Sequence, residues 1–370
     1  YAKISNFVSS ISKMRICYLA DGQSIHTQRW CNYFASLGHE IHLITFQNAE
    51  IAKVVVHYLN AGEISRKGGN WKVLLKVHAV KKIINKIKPD ILHAFYATSY
   101  GTVGALSGYR PFIITALGTD VLISPNRSFI YKYLVKFALN KADWITAMAD
   151  HMKNAIIDLG VNGKKVETIV FGINNELFNR KNRHLPEDKF VITSTRNFEP
   201  VYNLGLLVEA LSLTKNRIPE LFINFIGDGT LRTSIEKKIK EKGLWEKSIF
   251  YGKVPQTTIS EVLNKTHLFI TVSLSDGNNI SLNEAMACGA LSIATDIPAN
   301  IQWIEEGVNG YLVPTDNPQV LAEKILEVYH NYSKLQESAY TFNDKIIGEK
   351  ADWNVNMSKV EKKYRSLFIS

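Results

Sequence analysis

Two runs of short apolar segments, each alternating with amphipathic segments, constrain the fold of this chain more than any other feature. The first run begins with RICYLA after Met14 and reaches VETIVF at 166–171, and the second extends from FVITST at 190–195 to LSIAT at 291–295. Strands alternating with helices through connections of about 2–6 residues are typical of doubly wound parallel sheets. The pattern therefore predicts an α/β protein with two Rossmann-like domains.

The segment between the two runs predicts where one domain ends and the next begins. Residues 176–189, ELFNRKNRHLPEDK, are rich in charge, contain a proline and lack an apolar period. We expect a linker here, with domains at residues 14–178 and 189–349, each large enough for its own core. Two such domains face a central cleft, and ligands of doubly wound sheets bind at the carboxyl ends of the strands.

Apolar periodicity also predicts the individual elements. The predicted helices are 28–38, 71–88, 98–108, 128–140, 150–159, 203–216, 230–243, 257–264, 281–288, 318–332 and a helical tail to Leu367. The predicted strands are 15–20, 40–46, 90–95, 112–117, 143–148, 166–171, 190–195, 221–227, 248–252, 268–273 and 291–295.

The formal net charge of +10 comes entirely from the first half of the chain. Residues 1–180 carry 22 Lys and Arg against 11 Asp and Glu, whereas residues 181–370 carry 22 against 23. Lysines oppose the apolar stripe of the 71–88 helix, and YKYLVKFALNK (131–141) adds a second cationic, aromatic segment. The basic face is either an ordinary solvated surface or a contact for an anionic membrane. We expect no nucleic-acid partner, because no recognition-helix or aromatic-basic RNA motif occurs.

Several classes of protein are excluded by simple counts. Three cysteines, Cys17, Cys31 and Cys288, do not make a disulfide framework and lack the spacing of a zinc site. No stretch approaches 18 consecutive apolar residues, so we expect no membrane-spanning helix. The opening residues lack the apolar core of a secretory signal. We therefore expect a cytoplasmic protein that can associate with the inner face of a membrane.

The stretch SDGNNISLNEAMACG (275–289) carries the most specific chemical signal. It follows an apolar strand, and its loop leads into a helix that begins near Ile280. Backbone N–H groups of Asn279, Ile280 and Ser281 at that helix N-terminus suit a phosphate. Asp276 and Glu284 lie eight residues apart, which allows them to reach two hydroxyl-bearing parts of one ligand. On spacing alone, a solvated loop aspartate and an ordinary helix glutamate are the favoured interpretation.

This stretch resembles the E-x7-E element of retaining GT-B glycosyltransferases of family 4, with Asp276 in place of the first Glu and Glu284 as the second. The EAMACG core matches that family closely. The resemblance covers nearly the whole chain from Met14, and it includes LGHEIHLIT (37–45), PDILHAFYATSYG (89–101), TSTRNF (193–198), FIGDG (225–229), FYGKVP (250–255) and DIPANIQWIEEGVNGYLVP (296–314). It implies the GT-B architecture, with a C-terminal helix at 350–370 that packs back on the first domain.

The resemblance also implies roles for residues of the second domain. Glu284 would accept hydrogen bonds from the ribose hydroxyls, Asp276 would hold hydroxyls of the transferred sugar, and Arg196 would bind the diphosphate. The backbone at Lys253 and Val254 would line the base pocket. No metal and no cofactor is expected, since Arg196 and the helix N-terminus would stabilise charge on the leaving group.

The chain departs from the family pattern at three places. Tyr202, beside Asn203, stands where the family usually has a phosphate-binding lysine, so Asn203 is the candidate donor contact there. The family's loop histidine falls near Leu117, which leaves Asp120 as a candidate catalytic residue. The loop after the first strand has Gly22, Ser24 and His26 instead of paired glycines. These three residues and Tyr96 are candidates for the acceptor side.

The sequence thus predicts a hexosyltransferase-type glycosyltransferase. Its expected donor is a UDP-sugar, or else a GDP-sugar, and its expected acceptor is a glycan or a lipid-linked glycan. Retention of anomeric configuration and a role in cell-surface polysaccharide or glycolipid synthesis follow from the resemblance. The alternatives are a nucleotide-sugar epimerase or a phosphorylase on the same fold, or a non-catalytic sugar-binding or scaffold subunit.

Overall fold

A computed structural model describes residues 13–62 and 71–369. The chain divides into two compact units. The first extends to Ile169 and resumes at Lys359, and the second is Val170–Ser358. Arg66 and Lys67, two of the basic residues of the first half, lie outside the described residues.

The first unit contains a parallel sheet of seven strands in the order β3-β2-β1-β4-β5-β6-β7. Its strands are β1 (Arg15–Leu19), β2 (Glu40–Thr45), β3 (Val54–Tyr58), β4 (Ile91–Phe95), β5 (Phe112–Ala116), β6 (Trp144–Ala147) and β7 (Val166–Thr168). Its helices are α1 (Ile25–Ser36), α2 (Val77–Ile87), α3 (Ser99–Ser107), α4 (Thr119–Leu122), α5 (Ser124–Arg127), α6 (Phe129–Lys141) and α7 (Asp150–Asp158).

The second unit contains a parallel sheet of six strands in the order β10-β9-β8-β11-β12-β13. Its strands are β8 (Phe190–Ser194), β9 (Leu221–Ile226), β10 (Ser248–Gly252), β11 (Leu268–Thr271), β12 (Leu291–Thr295) and β13 (Gly310–Val313). Its helices are α8 (Leu204–Thr214), α9 (Arg232–Glu241), α10 (Gln256–Leu263), α11 (Ile280–Ala287), α12 (Pro298–Ile301) and α13 (Pro318–Lys350), and α14 (Trp353–Ile369) follows them.

Buried strands explain why the strand–helix alternation was visible in the sequence. Every residue of β4, β5, β6, β8, β11 and β12 is buried. Helices cover both faces of a parallel sheet, so its strands read as continuous apolar runs. The predicted strands and helices are confirmed to within a few residues at their ends.

Several elements differ from the prediction, and the short helices α4, α5 and α12 were not predicted at all. The strands β3 and β13 were not predicted. None of the residues of β3 is buried, and β13 has only four residues and begins with a glycine, a residue that is depleted in strands. The segment 71–88 begins as a 3-10 turn over Trp71–Lys76 before α2 starts. Helix α13 continues unbroken to Lys350, so the predicted helix 318–332 and the start of the predicted helical tail form one helix, and α14 supplies the rest of that tail.

The segment expected to be a linker, 176–189, lies within the second unit. Arg183 shows why it packs there. Its guanidinium donates to the carbonyl oxygens of Cys288 at 2.8 Å and Thr266 at 2.9 Å, and its Nε donates to the hydroxyl of Tyr340 at 2.8 Å. The charged segment 176–189, which has no apolar periodicity, is therefore held against the rest of the second unit, because one of its arginines hydrogen-bonds carbonyls at the ends of α10 and α11.

A buried polar chain links helix α14 to the first sheet. From Lys359 onward α14 belongs to the first unit. His93 Nδ1 hydrogen-bonds the hydroxyl of Tyr364, and its Nε2 lies 2.7 Å from Thr115 Oγ1. The Oγ1 atoms of Thr115 and Thr146 are 2.6 Å apart. Burial lowers the pKa of His93 to about 3, so the imidazole is neutral at neutral pH.

None of the described helices is long and apolar enough to cross a membrane.

Candidate functional site

The strand order of the second sheet brings two predicted site residues to one edge. Strands β8 and β11 are neighbours at the point where the strand order reverses. Arg196 follows the end of β8, and Asp276 lies in the loop that follows β11. Parallel strands end at the same edge, and doubly wound sheets bind ligands where the order reverses. Both side chains therefore lie at the position where this fold binds its ligands.

The guanidinium of Arg196 is held on three sides. Its Nη2 donates to Oδ2 of Asp276, and its Nη1 donates to Oδ1 of Asn279 at 3.1 Å. Its face lies over the ring of Tyr202, with Cζ 4.2 Å from the ring centroid. The side chain of Arg196 is 8% exposed and that of Asp276 is 19% exposed. Water screens this ion pair weakly, so the two charges are coupled more strongly than a surface pair.

Several polar atoms around Arg196 have no hydrogen-bond partner among the described residues. These buried atoms are Ser194 Oγ, Thr195 Oγ1, Arg196 Nε and Asn278 Nδ2. A buried polar atom without a partner costs about 1–3 kcal/mol, so such atoms mark positions that a ligand can complete. The sequence reasoning missed Ser194, Thr195 and Asn278. The available signal was the run of two hydroxyl residues before Arg196 at the carboxyl end of a buried strand.

Asn279 is fully buried and makes four hydrogen bonds through its side chain. Its Oδ1 accepts from Arg196 and, as the N-cap of α11, from the backbone N–H of Leu282 at 3.2 Å. Its Nδ2 donates to Thr271 Oγ1 at 3.1 Å and to Asn300 Oδ1 at 2.9 Å. With both ends of the amide occupied, the oxygen is fixed toward the guanidinium. Sequence reasoning assigned Asn279 a role only through its backbone.

The N-terminus of α11 differs in one detail from the prediction of three free N–H groups. The N–H of Ile280 donates to the carbonyl of Asn278 at 3.0 Å. It is engaged in the turn that leads into the helix, which leaves Asn279 and Ser281 as the predicted backbone donors. The prediction for Ile280 is therefore wrong, because the tight NNI turn uses its N–H.

Glu284 lies on the second turn of α11 and is 7% exposed. The preceding Asn283 is fully buried, and neither of its amide atoms has a partner among the described residues. Sequence reasoning did not single out Asn283. An asparagine beside the glutamate in an otherwise apolar helix was the signal.

The remaining predicted donor residues lie on the loops after β8 and β10. Asn203 has φ +51° before α8, and its Nδ2 donates to the carbonyl of Thr315 at 2.9 Å. This bond ties the loop of Asn203 to the chain after β13. Lys253 is exposed and Val254 is half-buried, directly after β10. Strand β10 is two strands from β8, which is about 10 Å across the sheet.

In the first unit, the loop after β1 packs closely on β2. The N–H of Gly22 donates to Thr45 Oγ1 at 3.1 Å, and a Cβ at this position would lie 2.5 Å from the Cβ of Ala49. Glycine is therefore required for close packing. Ser24 is the N-cap residue of α1, where its hydroxyl makes no capping bond to that helix. Burial, with a contribution from Arg29, lowers the pKa of His26 to about 4, so this histidine is neutral at neutral pH.

The sequence made Asp120 a candidate catalytic residue, but in the structure its carboxylate holds two loops together. Its side chain is 1% exposed, and Oδ2 accepts from the N–H of Ala97 at 2.7 Å. Oδ1 accepts from the N–H groups of Leu117 at 3.1 Å and Gly118 at 2.9 Å. Burial raises the pKa of this carboxyl, against the opposing effect of these bonds. Both oxygens are used to join the loops after β4 and β5, so Asp120 is a positioning residue.

Tyr96 lies in the loop that Asp120 supports. Its φ is +70°, and its carbonyl accepts from the N–H of Gly101 at 2.8 Å. A Cβ at Gly101 would lie 2.6 Å from that carbonyl oxygen, so glycine permits this close turn. Tyr100 is stacked on Phe46 and buried, as packing beneath the loop predicts. Among the described residues, no group of three His, Cys, Asp or Glu side chains could hold a metal ion.

Comparison with known proteins matches both units. A family model described as glycosyl transferase 4-like matches residues 15–149, and one described as glycosyl transferases group 1 matches residues 175–343. An uncharacterised glycosyltransferase of Methanocaldococcus jannaschii is 28% identical over 343 residues, which are 89% of this chain and 90% of the relative.

Two solved structures show the same fold. Sucrose-phosphate synthase of Thermosynechococcus elongatus has a TM-score of 0.82 at 18% identity, over 96% of this chain and 99% of that one. HepE of Anabaena in complex with UDP has a TM-score of 0.80 at 18% identity, over 96% of this chain and 100% of that one. The two parallel sheets are thus those of the GT-B fold.

Proposed function

Since this chain belongs to the glycosyl transferases group 1 family and is a hexosyltransferase of the GT-B fold, we propose that it transfers a sugar from a UDP-sugar to a glycan or lipid-linked acceptor. The observation that carries the proposal is the cluster of Arg196, Asp276 and Asn279 where the second sheet reverses its strand order. The complex of HepE with UDP supports uridine as the base.

The leaving group of this reaction is a nucleoside diphosphate, so negative charge grows on its phosphate oxygens. Arg196 supplies a planar guanidinium that can bind two oxygens at once, and the N-terminus of α11 adds backbone donors near Ser281. Both groups are held in place before the reaction, which makes their stabilisation of the transition state effective. We propose that this arrangement needs no metal ion and no cofactor.

The other residues of the second unit would bind the rest of the donor. Glu284 on α11 would accept from the ribose hydroxyls, and Asp276 would hold hydroxyls of the transferred sugar. The backbone at Lys253 and Val254 would line the base, about 10 Å from β8 across two strand spacings. Asn203 would shape the loop beside the diphosphate.

The acceptor would be bound by the first unit. We propose that Gly22, Ser24 and His26 after β1, and Tyr96 after β4, line its site, since the strand order also reverses between β1 and β4. His26 is neutral at neutral pH, so its imidazole can hydrogen-bond an acceptor hydroxyl without carrying a charge. Retention of configuration, and a role in cell-surface polysaccharide or glycolipid synthesis, are proposed from the resemblance of residues 276–284 to the family 4 element.

The first unit also carries a surface suited to anionic lipid. Lys72, Lys81, Lys82 and Lys86 are exposed along the segment that ends with α2. At the start of α6, Phe129 is 81% exposed and Tyr133 is 64% exposed. Both α2 and α6 pack against α3. Lysines attract anionic headgroups and aromatic side chains enter the interface, so we propose peripheral binding at the cytoplasmic face of a membrane.

A direct experiment tests the donor and the reaction together. Thermal stability is measured with UDP-, GDP- and ADP-sugars, and the ligand that stabilises most is then supplied with acceptor glycans and with EDTA. We expect a UDP-sugar to stabilise most, and transfer to continue in EDTA. Interconversion of the sugar without an acceptor would favour an epimerase, and loss of transfer in EDTA would contradict the metal-independent mechanism.

A further inference from the structure

We propose that Asp276 is the counter-ion of Arg196 before the donor binds and that the diphosphate of the donor replaces it. This inference rests on the proposed function, because it concerns how a nucleoside diphosphate reaches its arginine. It gives Asp276 a role before catalysis, in addition to the contact with the transferred sugar.

The contacts of Arg196 show that its two outer nitrogens are not equivalent. Nη1 donates to Asn279, whose amide is fixed by Thr271, Leu282 and Asn300. Nη2 donates to Asp276, which lies in the loop before α11 and is 19% exposed. One side of the guanidinium is therefore bound to a buried, fully bonded residue, and the other is bound to a carboxylate that reaches solvent.

The remaining groups favour exchange at the Asp276 side. The ring of Tyr202 supports the face of the Arg196 guanidinium, and Asn279 stays hydrogen-bonded to Nη1. Arg196 therefore keeps its position when Asp276 leaves. Arg196 Nε is buried and has no acceptor among the described residues. A phosphate that approaches from the solvent side can replace the carboxylate at Nη2 and satisfy this third donor. The carboxylate is then released for the sugar hydroxyls.

The exchange predicts that Asp276 and a diphosphate compete for one guanidinium edge. Removing the carboxylate charge should therefore tighten the binding of a free diphosphate, although it harms the reaction with the complete donor. A carboxylate that only contacts the sugar would leave diphosphate binding unchanged. The two roles of Asp276 can thus be separated by ligands that lack the sugar.

The test compares Asp276→Asn with the wild type by calorimetry, using UDP, inorganic pyrophosphate and uridine as probes. We expect UDP and pyrophosphate to bind roughly ten-fold more tightly to the variant, the scale of one competing charge-assisted hydrogen bond. Uridine should bind equally to both proteins, because it has no phosphate. Asp344→Asn is the matched control: it removes the same charge from the ion pair with Arg180 in the same unit, and should change none of the three affinities.

Two further variants keep the test decisive. If Asp276→Asn does not fold, Asp276→Ser removes the same carboxylate, and Asp276→Glu should keep UDP binding near the wild-type value. UDP affinity that is unchanged or weaker without the carboxylate, while Arg196→Ala still abolishes UDP binding, overturns the inference and leaves the proposed function intact. Failure of the wild type to bind any nucleoside diphosphate would instead contradict the proposed function.

Discussion

In the proposed mechanism, the donor chemistry depends most on Arg196. With Tyr202 beneath its face rather than a lysine beside it, no second side-chain cation contacts the cluster among the described residues. Arg196→Ala should therefore lower donor turnover by roughly 10²–10³, the effect of removing one preorganised transition-state donor. Arg196→Lys should recover only part of this loss, because an ammonium lacks the bidentate fork. Turnover within threefold of wild type in Arg196→Ala would show that another group neutralises the leaving group.

Glu284 provides a second test at the scale of one residue. Because it is 7% exposed on α11, a ribose hydroxyl pair bound to it would be largely shielded from water. Glu284→Ala should weaken UDP binding by about 1–3 kcal/mol, the loss expected when buried hydroxyls lose their acceptor. Calorimetry with UDP and with pyrophosphate measures the effect. Pyrophosphate affinity should not change, and an equal loss for both ligands would place Glu284 at the phosphates instead.

The limits of sequence reasoning are also visible at single residues. Asp276, Arg196 and Glu284 were found because the resemblance and the strand ends pointed to them. The contact between Asp276 and Arg196 could not be predicted, because it depends on how two loops, about 80 residues apart in sequence, close over the sheet. Asp120 was misjudged for the same reason, since a strand-end carboxylate in sequence does not reveal that three backbone N–H groups already occupy it.

At the scale of elements, the strands whose residues are all buried were predicted, whereas the exposed strand β3 was not. The six-residue run EIHLIT of β2 is almost entirely buried, whereas every residue of VVVHY in β3 is half-buried or exposed. The last turns of α13 show a further limit. Between residues 335 and 345, only Leu335, Ala339 and Asn343 are buried, one in each turn, before Ile346 and Ile347 are buried together. A stripe that narrow does not stand out among the polar residues around it.

The polar chain through His93 joins α14 to β4, β5 and β6, and it predicts acid sensitivity. The pKa of His93 is lowered to about 3 by burial, whereas an unfolded histidine titrates near 6.5. The unfolded state therefore takes up the proton first, and the stability that the neutral imidazole provides is lost as pH falls below about 6.5. Between pH 6.5 and pH 5 this amounts to about 2 kcal/mol.

His93→Gln should remove this contribution. Urea unfolding at pH 7.5 and at pH 5 measures it, as the difference between the two free energies of unfolding. We expect the variant to be less stable at pH 7.5 but to lose about 2 kcal/mol less than the wild type on acidification. His26, His39, His57 and His267, whose pKa values are also lowered by burial, continue to contribute to the remaining acid sensitivity. An unchanged pH dependence would show that His93 is protonated at little cost.

At the scale of the whole molecule, the two halves of the chain differ in charge as the two units differ in proposed ligand. The first half of the chain carries all of the excess positive charge, and the second half, which holds the donor cluster, is nearly neutral. A protein that binds polyanions in general would be expected to carry positive charge in both halves of its chain. The division suits a protein whose first unit contacts an anionic surface while its second unit binds a small anion through a few fixed groups.

Charge reversal on the first unit tests this division. Changing Lys72, Lys81, Lys82 and Lys86 to Glu should abolish sedimentation with phosphatidylglycerol vesicles at low salt, since each lysine contributes about 1 kcal/mol near an anionic surface. UDP affinity should stay unchanged, because the donor cluster is built from second-unit residues alone. Lys237→Glu, at an exposed lysine of α9, is the control and should leave vesicle binding intact. Added salt should release the wild type from the vesicles, because surface attraction is screened. If the wild type does not sediment with the vesicles at low salt, membrane binding is contradicted. If the variant with all four reversals still sediments, the exposed aromatic residues of α6 rather than these lysines make the membrane contact.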